Sequence, residues 1–294
     1  MAAITSAANV GVTEMELIAS IVEENRLANT VLMNTTEDRS NLLQPGIKSL
    51  ELPRFHATDS AGFRRFGDPD TQNPDGETPV ALKTVTLDVD IINLNQWKNL
   101  SYRLPDRVVA QNRVNLISEF AAQAGKDMAR YMDESVRVVY ATLTQAVTYD
   151  GPADADIPAL TATISLSNIA QARLILDKQY VSSMNRFLII SPAQEKAIIK
   201  MDNFVNADQY GSREALLNGE VGRIYGFTVI KSTLLADDES YAVHKHCVNT
   251  AMQKALDYET QRADVTIRAT DYSFAVGWGL TLMDGGAYGV KFEL

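Results

Sequence analysis

The sequence predicts an α+β protein, and three stretches of the chain lead to this class. Residues 107–147 contain no proline and repeat apolar residues at steps of three and four, which is the period of a helix. Residues 272–282 alternate large apolar with small residues, which is the period of a strand with one buried face. Residues 167–245 combine helix-like segments with short apolar runs. Long helices and long strands thus occupy separate parts of the chain.

A first helix is predicted from about Glu14 to Val31. Thr13 and Glu16 have the spacing of a capping box, in which each side chain satisfies a free amide at the start of a helix. The apolar residues of this helix share one face: Met15, Ile18, Ile21 and Val22. Such a helix at the end of a chain needs a surface elsewhere to pack on.

Residues 35–106 predict a long β-hairpin with a large exposed tip. Residues 42–55 are extended and broken by proline, and residues 84–92 alternate, with one face made of Val85, Leu87, Val89 and Ile91. Between the two strands, residues 58–78 are polar and contain several prolines and glycines. A connection of about twenty residues is long beside the usual ~4–6, so the tip is either functional or disordered.

Residues 107–147 predict one amphipathic helix that forms the spine of an elongated subunit. At about 1.5 Å per residue, this helix would run about 60 Å. The strand predicted over residues 272–282 has one apolar face, made of Tyr272, Phe274, Val276, Trp278, Leu280 and Leu282. A face of this length needs a long apolar surface, and the spine helix is the longest in the sequence. The C-terminal segment is therefore expected to fold back onto the middle of the chain.

Residues 148–254 predict a compact second domain of mixed structure. A helix is expected over residues 169–180, a strand over residues 187–190, and a second helix opened by the Ser-Pro pair at Ser191. Ser191 and Gln194 match a capping box, and a proline at the first helical position sacrifices no hydrogen bond.

Composition and charge exclude several classes of protein. The chain has 27 basic and 37 acidic residues and a net charge of −10, which argues against a protein whose main surface grips nucleic-acid phosphates. One cysteine and three histidines are too few for a disulfide framework or the usual structural zinc sites. The sequence also has no secretory signal, no apolar run long enough to span a membrane, and no phosphate-loop, nucleophile-elbow or metalloprotease motif.

Two kinds of metal site can be considered from the sequence. His244, His246 and Cys247 lie close together, but a further ligand is missing nearby, so ordinary strand histidines are favoured. Aspartates occur in two groups without the spacing of a calcium loop, so solvated acidic turns are favoured for Asp68, Asp70 and Asp75, and for Asp150, Asp154 and Asp156. The prediction is a protein without a metal site, a cofactor or catalytic residues.

Two arginines stand between two phenylalanines at the tip of the predicted hairpin: Phe63, Arg64, Arg65 and Phe66. Three interpretations are open. Docking of this group on an acidic, apolar neighbouring protein is favoured; the rings could instead tuck onto the base of the hairpin, or the group could stack on nucleic acid. Acidic residues flank the group and weaken the last interpretation: Asp59, Asp68 and Asp70.

One stretch of the sequence carries a family resemblance. Residues 187–232 resemble the A-domain of the major capsid proteins of tailed bacteriophages, in the order FLII, a Ser-Pro helix, FVNADQYG, a short helix, NGEVGRIYGF and a closing strand. The rest of the chain is similar to the same plan, the Hong Kong 97-type fold. The resemblance implies an N-terminal arm (1–34), an E-loop hairpin with its flanks (35–106), a P-domain spine helix (107–147), an A-domain (148–254) and P-domain C-terminal strands (255–294).

The resemblance implies a structural protein of the virion and not an enzyme. Copies of the chain would form hexamers and pentamers and close an icosahedral shell around double-stranded DNA, which they would not bind sequence-specifically, after assembly in the host cytoplasm. A scaffolding protein and a portal are expected partners, a decoration protein can join them, and no membrane is involved. The candidate contacts with neighbouring copies lie in the hairpin tip and the first helix: Phe63, Arg64, Arg65, Phe66, Met15, Ile18 and Val22.

The sequence departs from the family pattern in two respects. Some members crosslink their shells between an E-loop lysine and a P-domain asparagine, but no asparagine follows Asn249 here, so a non-covalent shell is expected. Other members begin with a long cleaved scaffolding segment, whereas the first helix is predicted here at about Glu14, so scaffolding is expected from a separate protein.

Two alternatives to a capsid protein are open. An encapsulin compartment uses the same fold but encloses a cargo protein instead of a genome. A hydrolase could lie in residues 148–250, with His244 or His246 in its site, and the mixed α/β pattern is its only support. The capsid protein is favoured because the resemblance runs in order along nearly the whole chain.

Overall fold

The described part of the chain contains two β-sheets and several helices, and the longest helix packs against both sheets. The computed structural model describes residues 7–44, 46–55, 87–107, 116–153, 162–200, 222–263 and 268–293. The α-helices within these ranges are α1 (Ala7–Asn29), α2 (Leu116–Ala141), α3 (Leu166–Lys178) and α4 (Pro192–Ile199).

The first sheet has five strands, most of them antiparallel. They are β1 (Glu37–Asp38), β2 (Ser49–Phe55), β3 (Leu87–Pro105), β9 (Val248–Arg262) and β10 (Ala269–Leu282), in the order β1-β9-β10-β3-β2. The long strand β10 pairs with β3 on one side and β9 on the other, so it forms the centre of the sheet.

The second sheet has six strands of mixed direction. They are β4 (Ala146–Thr148), β5 (Arg186–Ile190), β6 (Arg223–Ile224), β7 (Phe227–Lys231), β8 (Ser240–His244) and β11 (Gly289–Glu293), in the order β4-β11-β8-β5-β7-β6. The turn Met283–Gly286 carries the chain from β10 of the first sheet to β11 of the second. The strands of the C-terminal segment are therefore divided between the two sheets.

Helix α2 connects the two sheets through its apolar face. In its first half, Ala124 and Met128 belong to the same buried cluster as Val276 and Trp278 of β10. In its second half, it shares a cluster with β5 and β8, through Val136, Tyr140, Ile189, Tyr241 and Val243. The prediction that residues 272–282 form a strand folded back onto the spine helix is confirmed.

The six-stranded sheet is covered on both faces. In β5, Ile189 lies in the cluster with α2, whereas its neighbours Leu188 and Ile190 lie in a second cluster with α3 and α4. Because successive strand residues point to opposite faces, this division places α2 on one side of the sheet and the two shorter helices on the other. All three β5 residues are completely buried.

The start of α4 confirms one half of its predicted cap. The Ser191 hydroxyl accepts a hydrogen bond from the backbone N–H of Gln194 at 3.3 Å. The Gln194 side chain does not return to Ser191; it donates to the Asp237 carbonyl and accepts from the Ile164 N–H. A fully buried amide needs partners for both its donor and its acceptor, and these two backbone groups supply them.

Two predicted helix boundaries are wrong. Helix α1 begins at Ala7, so the predicted cap position Thr13 lies inside the helix. Helix α2 ends at Ala141 and not at Val147, because the strand β4 takes its place and pairs with β11. Residues 108–115 of the predicted spine lie outside the described residues.

The stem of the predicted hairpin is confirmed. Strands β2 and β3 pair antiparallel, with Ser49 opposite Asn93 and Phe55 opposite Leu87. The tip over residues 58–78 lies outside the described residues. Strand β3 continues to Pro105, far beyond the segment that the apolar alternation marked as a strand.

Candidate assembly surfaces

Helix α1 packs against α2 of its own chain. Ile18 and Val22 are buried in one cluster with Ala121 and Ala124 of α2. The helices approach so closely that a Cβ atom added to Gly125 would lie 2.5 Å from the Val22 carbonyl oxygen. The surface that this terminal helix needs is therefore supplied by its own chain, where Ala121, Ala124 and Gly125 of α2 allow close contact.

The segment after α1 is fixed to α2 by buried polar groups. The Asp133 carboxylate accepts hydrogen bonds from the N–H groups of Val31 at 2.8 Å and Met33 at 3.0 Å. The Tyr140 hydroxyl lies 2.7 Å from the Thr35 hydroxyl. Burial raises the pKa of Asp133, and the backbone donors oppose that rise. Residues 31–35 are thereby held against the second half of α2.

Among the described residues, no helix covers the outer face of the five-stranded sheet, which is the face opposite α1 and α2. On β3, Ile92 and Leu94 are buried, whereas Val89 and Ile91 are each 43% exposed. Beyond a register shift between Asn93 and Gln96, Trp97 is 52% exposed and pairs with Gly277, on the face of β10 opposite Trp278. Where it is described, at Val89 and Ile91, the apolar face predicted for residues 84–92 is exposed, and Ile92 on the other face of the strand is buried.

Trp97 packs closely against the neighbouring strand on this outer face. It stands opposite Gly277 of β10, and a Cβ atom on that glycine would lie 3.1 Å from three atoms of the indole. The ring therefore lies against the strand where only glycine leaves room. Beside it is an open depression of about 690 Å³, lined by Trp97 and by Gly46, Ile47, Lys48, Asn93, Leu94, Asn95 and Gln253.

A second exposed apolar group lies beside α3. Tyr180, just after the helix, is 97% exposed and has a left-handed backbone with φ +56°. Leu174 and Met184 are exposed as well, and Arg173 donates to the Tyr225 carbonyl in the β6–β7 turn at 3.4 Å. Bulky residues rarely adopt this left-handed conformation. Tyr180 and Tyr225 both do, so both turns hold their tyrosine at a cost in backbone strain.

The structure describes only some of the residues predicted to contact neighbouring copies. Ile18 and Val22 are occupied within the chain, and their contact with a neighbouring copy stays a prediction. The side chain of Met15 lies outside the described residues, as does the whole hairpin-tip group: Phe63, Arg64, Arg65 and Phe66. The interpretation of that tip group therefore also stays a prediction.

The histidine candidates are engaged in local structure. His244 accepts a hydrogen bond from the His246 N–H through Nδ1 at 3.1 Å, and burial lowers the pKa of His244. His246 pairs with Glu37, while Cys247 is buried, which raises the pKa of its thiol to about 12. Within the described residues, no three ligating side chains are grouped for a metal ion.

Of the two aspartate groups, Asp150 alone is described. It contacts the Ser165 hydroxyl, and its N–H donates to Asn168 at 3.2 Å. The other members lie outside the described residues: Asp68, Asp70, Asp75, Asp154 and Asp156. Asp150 thus belongs to the start of α3, where Ser165 and Asn168 form a reciprocal cap that the sequence analysis missed.

Comparison with protein families identifies the chain. A profile described as phage capsid protein matches residues 92–288, which span the spine helix, most of the six-stranded sheet and the strand β10. The chain belongs to the phage capsid protein family. The match also covers the part of β3 that carries Trp97.

Solved structures share the fold of this capsid chain. A chain of Mycobacterium phage Che8 matches with a TM-score of 0.72 and 17% identity, over 90% of either chain. The capsid structure of the cyanophage P-SCSP1u matches with a TM-score of 0.70 and 16% identity, over 90% of this chain and 88% of that one. A virus-like particle from Pyrococcus furiosus matches with a TM-score of 0.59 and 10% identity, over 95% and 99%. No curated protein matches in sequence.

These findings confirm an α+β protein with the Hong Kong 97-type fold and the prediction of a bacteriophage major capsid protein. The encapsulin alternative is weaker, because the matched family is one of phage capsid proteins. The family implies a structural role in the virion shell and self-association of the chain. No helix in the described ranges combines the length and apolarity needed to cross a bilayer.

Sequence reasoning missed two residues that shape these surfaces. Asp133 interrupts the apolar stripe between Met132 and Val136, and a charged residue at such a position signals a buried partner. Trp97 stands in a polar stretch, NQWKNL, where no helical or strand period explains a tryptophan. An isolated aromatic residue among amides is the signal that could have marked this face.

Proposed function

We propose that the chain is the repeating subunit of the icosahedral head of a tailed, double-stranded DNA phage. One observation carries the proposal: a chain of the phage capsid family exposes Trp97 on the uncovered face of its central sheet. Tryptophan is among the residues most enriched at the energetic centres of protein contacts. A second copy of the chain would cover this face, as α1 and α2 cover the other.

The two exposed surfaces allow head-to-tail contacts, which are the kind of contact that hexamers and pentamers need. The outer face around Trp97 differs from the group beside α3, so two copies that pair one surface with the other make a head-to-tail contact. Repeated head-to-tail contacts close into rings when the rotation fits. The division into arm, E-loop, spine helix, A-domain and C-terminal strands describes how one chain would reach several neighbours.

The hairpin tip and the arm extend these contacts in the proposed shell. Phe63, Arg64, Arg65 and Phe66 would dock on acidic, apolar surfaces of an adjacent copy. In α1, whose Ile18 and Val22 face their own spine helix, the exposed Leu27 offers an apolar contact on the opposite side. The shell would be held without covalent crosslinks.

The subunit is proposed to be structural, without catalytic residues, metal or cofactor. A scaffolding protein and a portal would guide assembly in the host cytoplasm, and a decoration protein can be added later. The net charge of −10 suits a container that holds DNA without gripping it, since like charges repel and the genome must be released. Attraction between subunits would come from buried apolar contacts and local charge pairs.

Electron microscopy of the assembled protein tests the proposal. We expect the chain, expressed with its scaffolding protein, to form closed shells made of hexamers and pentamers. Subunits that stay monomeric with and without the scaffold would contradict it. Shells that enclose a cargo enzyme encoded beside the gene, without portal or terminase genes nearby, would favour a compartment over a phage head.

A further inference from the structure

One arginine gathers three carboxylates at the stem of the hairpin. Arg54 of β2 stands opposite Asp88 of β3, one pair before the end of the described stem. Its guanidinium lies 3.5 Å from Asp88 and 3.5 Å from Asp90, and it also pairs with Asp284. The Arg54 side chain is only 19% exposed, so water and salt screen these pairs less than they screen surface pairs.

The third carboxylate belongs to a different part of the fold. Asp284 lies in the turn Met283–Gly286, which connects β10 of the five-stranded sheet to β11 of the six-stranded sheet. Its backbone is left-handed, with φ +50°, a conformation that residues other than glycine adopt at a cost. Its N–H also approaches Asp90 at 3.4 Å. The turn is therefore held in place from the hairpin side.

We propose that Arg54 is a positioning residue that fixes the direction in which the hairpin leaves the first sheet relative to the second sheet. The planar guanidinium presents several donors and can join three carboxylates at once, which a lysine ammonium on a flexible stem does less well. The inference rests on the proposed function, in which the hairpin reaches a neighbouring copy.

Loss of Arg54 would leave carboxylates facing one another. Asp90 and Asp284 have no other cation within ion-pair distance among the described residues. Their mutual repulsion would separate the stem from the turn. The subunit would keep both sheets and their cores, which Arg54 does not join, but the hairpin would leave at a variable angle. A closed shell needs the same hairpin angle in every copy. Loss of Arg54 would therefore prevent closure of the shell although the subunit still folds.

The test compares Arg54→Met with a matched control. Arg262→Met removes an exposed ion pair on the same sheet, that of Arg262 with Asp106, away from the stem, the turn and the face that carries Trp97. We expect Arg54→Met to reduce shells of normal diameter at least tenfold by electron microscopy, with malformed or open particles in their place. Arg262→Met should stay within about twofold of the unmodified protein.

Two further measurements separate positioning from general destabilisation. Hydrogen exchange of the unassembled subunit should become faster at residues 283–286 in Arg54→Met and stay unchanged in Arg262→Met. Asp284→Asn keeps a residue that tolerates the left-handed backbone and removes only its charge. We expect it to lower the yield of normal shells, and the double variant with Arg54→Met to lose no more than Arg54→Met alone.

The outcomes distinguish this inference from the proposed function. An unmodified chain that forms no shells overturns the proposed function. An unmodified chain that forms shells, with Arg54→Met shells of normal number and diameter, overturns the positioning role alone. If Arg54→Met lowers the Tm of the subunit by more than about 10 °C, Asp284→Asn decides: normal shells from that variant overturn the role of the cluster.

Discussion

The two sheets of this capsid subunit differ in whether helices of the same chain cover both of their faces. The six-stranded sheet is enclosed by its own chain, with α2 on one face and α3 and α4 on the other. The five-stranded sheet is covered by helices on one face and exposes Trp97 on the other. The difference teaches that stability and assembly are separated in space: one sheet holds the subunit together, and the other leaves surface for neighbours.

The largest expected effect tests the enclosed sheet. Phe227→Ala removes a completely buried ring between β7 and the helices α3 and α4, and should lower the free energy of unfolding by about 3–5 kcal/mol because it leaves a cavity. Urea unfolding of the unassembled subunit measures the change. A loss below about 1 kcal/mol would contradict a fully enclosed sheet.

A smaller loss is expected where the arm meets the spine. Gly125→Leu places atoms where the Val22 carbonyl lies, so it should destabilise the subunit by about 1–3 kcal/mol, although leucine is the better helix former. Thermal unfolding of the subunit is the measurement, with Ser135→Ala on the same helix as a control that should change little. Equal or greater stability of Gly125→Leu would show that α1 does not pack there.

The buried Asp133 predicts a pH effect at the junction between the sheets. Its pKa is raised in the folded chain, so the native state holds this proton more tightly than the unfolded state does. The contribution of Asp133 is therefore most favourable in acid and declines as the pH rises from about 4 through the raised pKa. Against Asp133→Asn, the stability advantage of the unmodified protein should shrink over that window in urea unfolding. An advantage that grows with pH would contradict the assignment.

Trp97→Ala tests the open sheet. Because the ring is half exposed in the single chain, the subunit should lose less than about 1 kcal/mol of stability. The yield of shells should fall clearly, since the same contact repeats at every copy. Subunit unfolding and light scattering during assembly give the two numbers. If Trp97→Ala destabilises the isolated subunit as much as Phe227→Ala does, the contrast between the sheets is wrong.

The smallest effect per contact is expected at the hairpin tip. Arg64→Glu with Arg65→Glu should lower the assembly yield, because exposed ion pairs contribute about 0–1 kcal/mol each but recur throughout a shell. Arg64→Lys with Arg65→Lys keeps the charge and is the matched control. An assembly yield that does not change across a salt series would exclude docking of this group on acidic neighbours.

The fold could be predicted where the pattern is long. The apolar face of residues 272–282 and the helical stripe of α2 each run over many residues, so their mutual packing followed from the sequence. The partner of α1 did not, because a stripe shows that a face is buried and not against what. The single glycine of α2, Gly125, was the one sign of a close crossing.

The assembly surfaces were harder to predict than the fold. In β3 a register shift between Asn93 and Gln96 reverses the alternation, so the period of residues 84–92 does not continue to Trp97. The pairing of Arg54 with Asp284 joins residues 230 positions apart, and such contacts depend on the whole topology. Local periods reveal elements, but surfaces between elements appear only once the chain has folded.

The 26-residue helix α2 also acts as a lever. It is about 39 Å long, so a tilt of about 5° at one sheet displaces its far end by about 3 Å. The two halves of this helix pack on different sheets. A small movement of one sheet at an intersubunit contact therefore tilts the helix and displaces the other sheet by a larger distance. The curvature of a shell built from this subunit can therefore be set by side-chain movements no larger than a rotamer change.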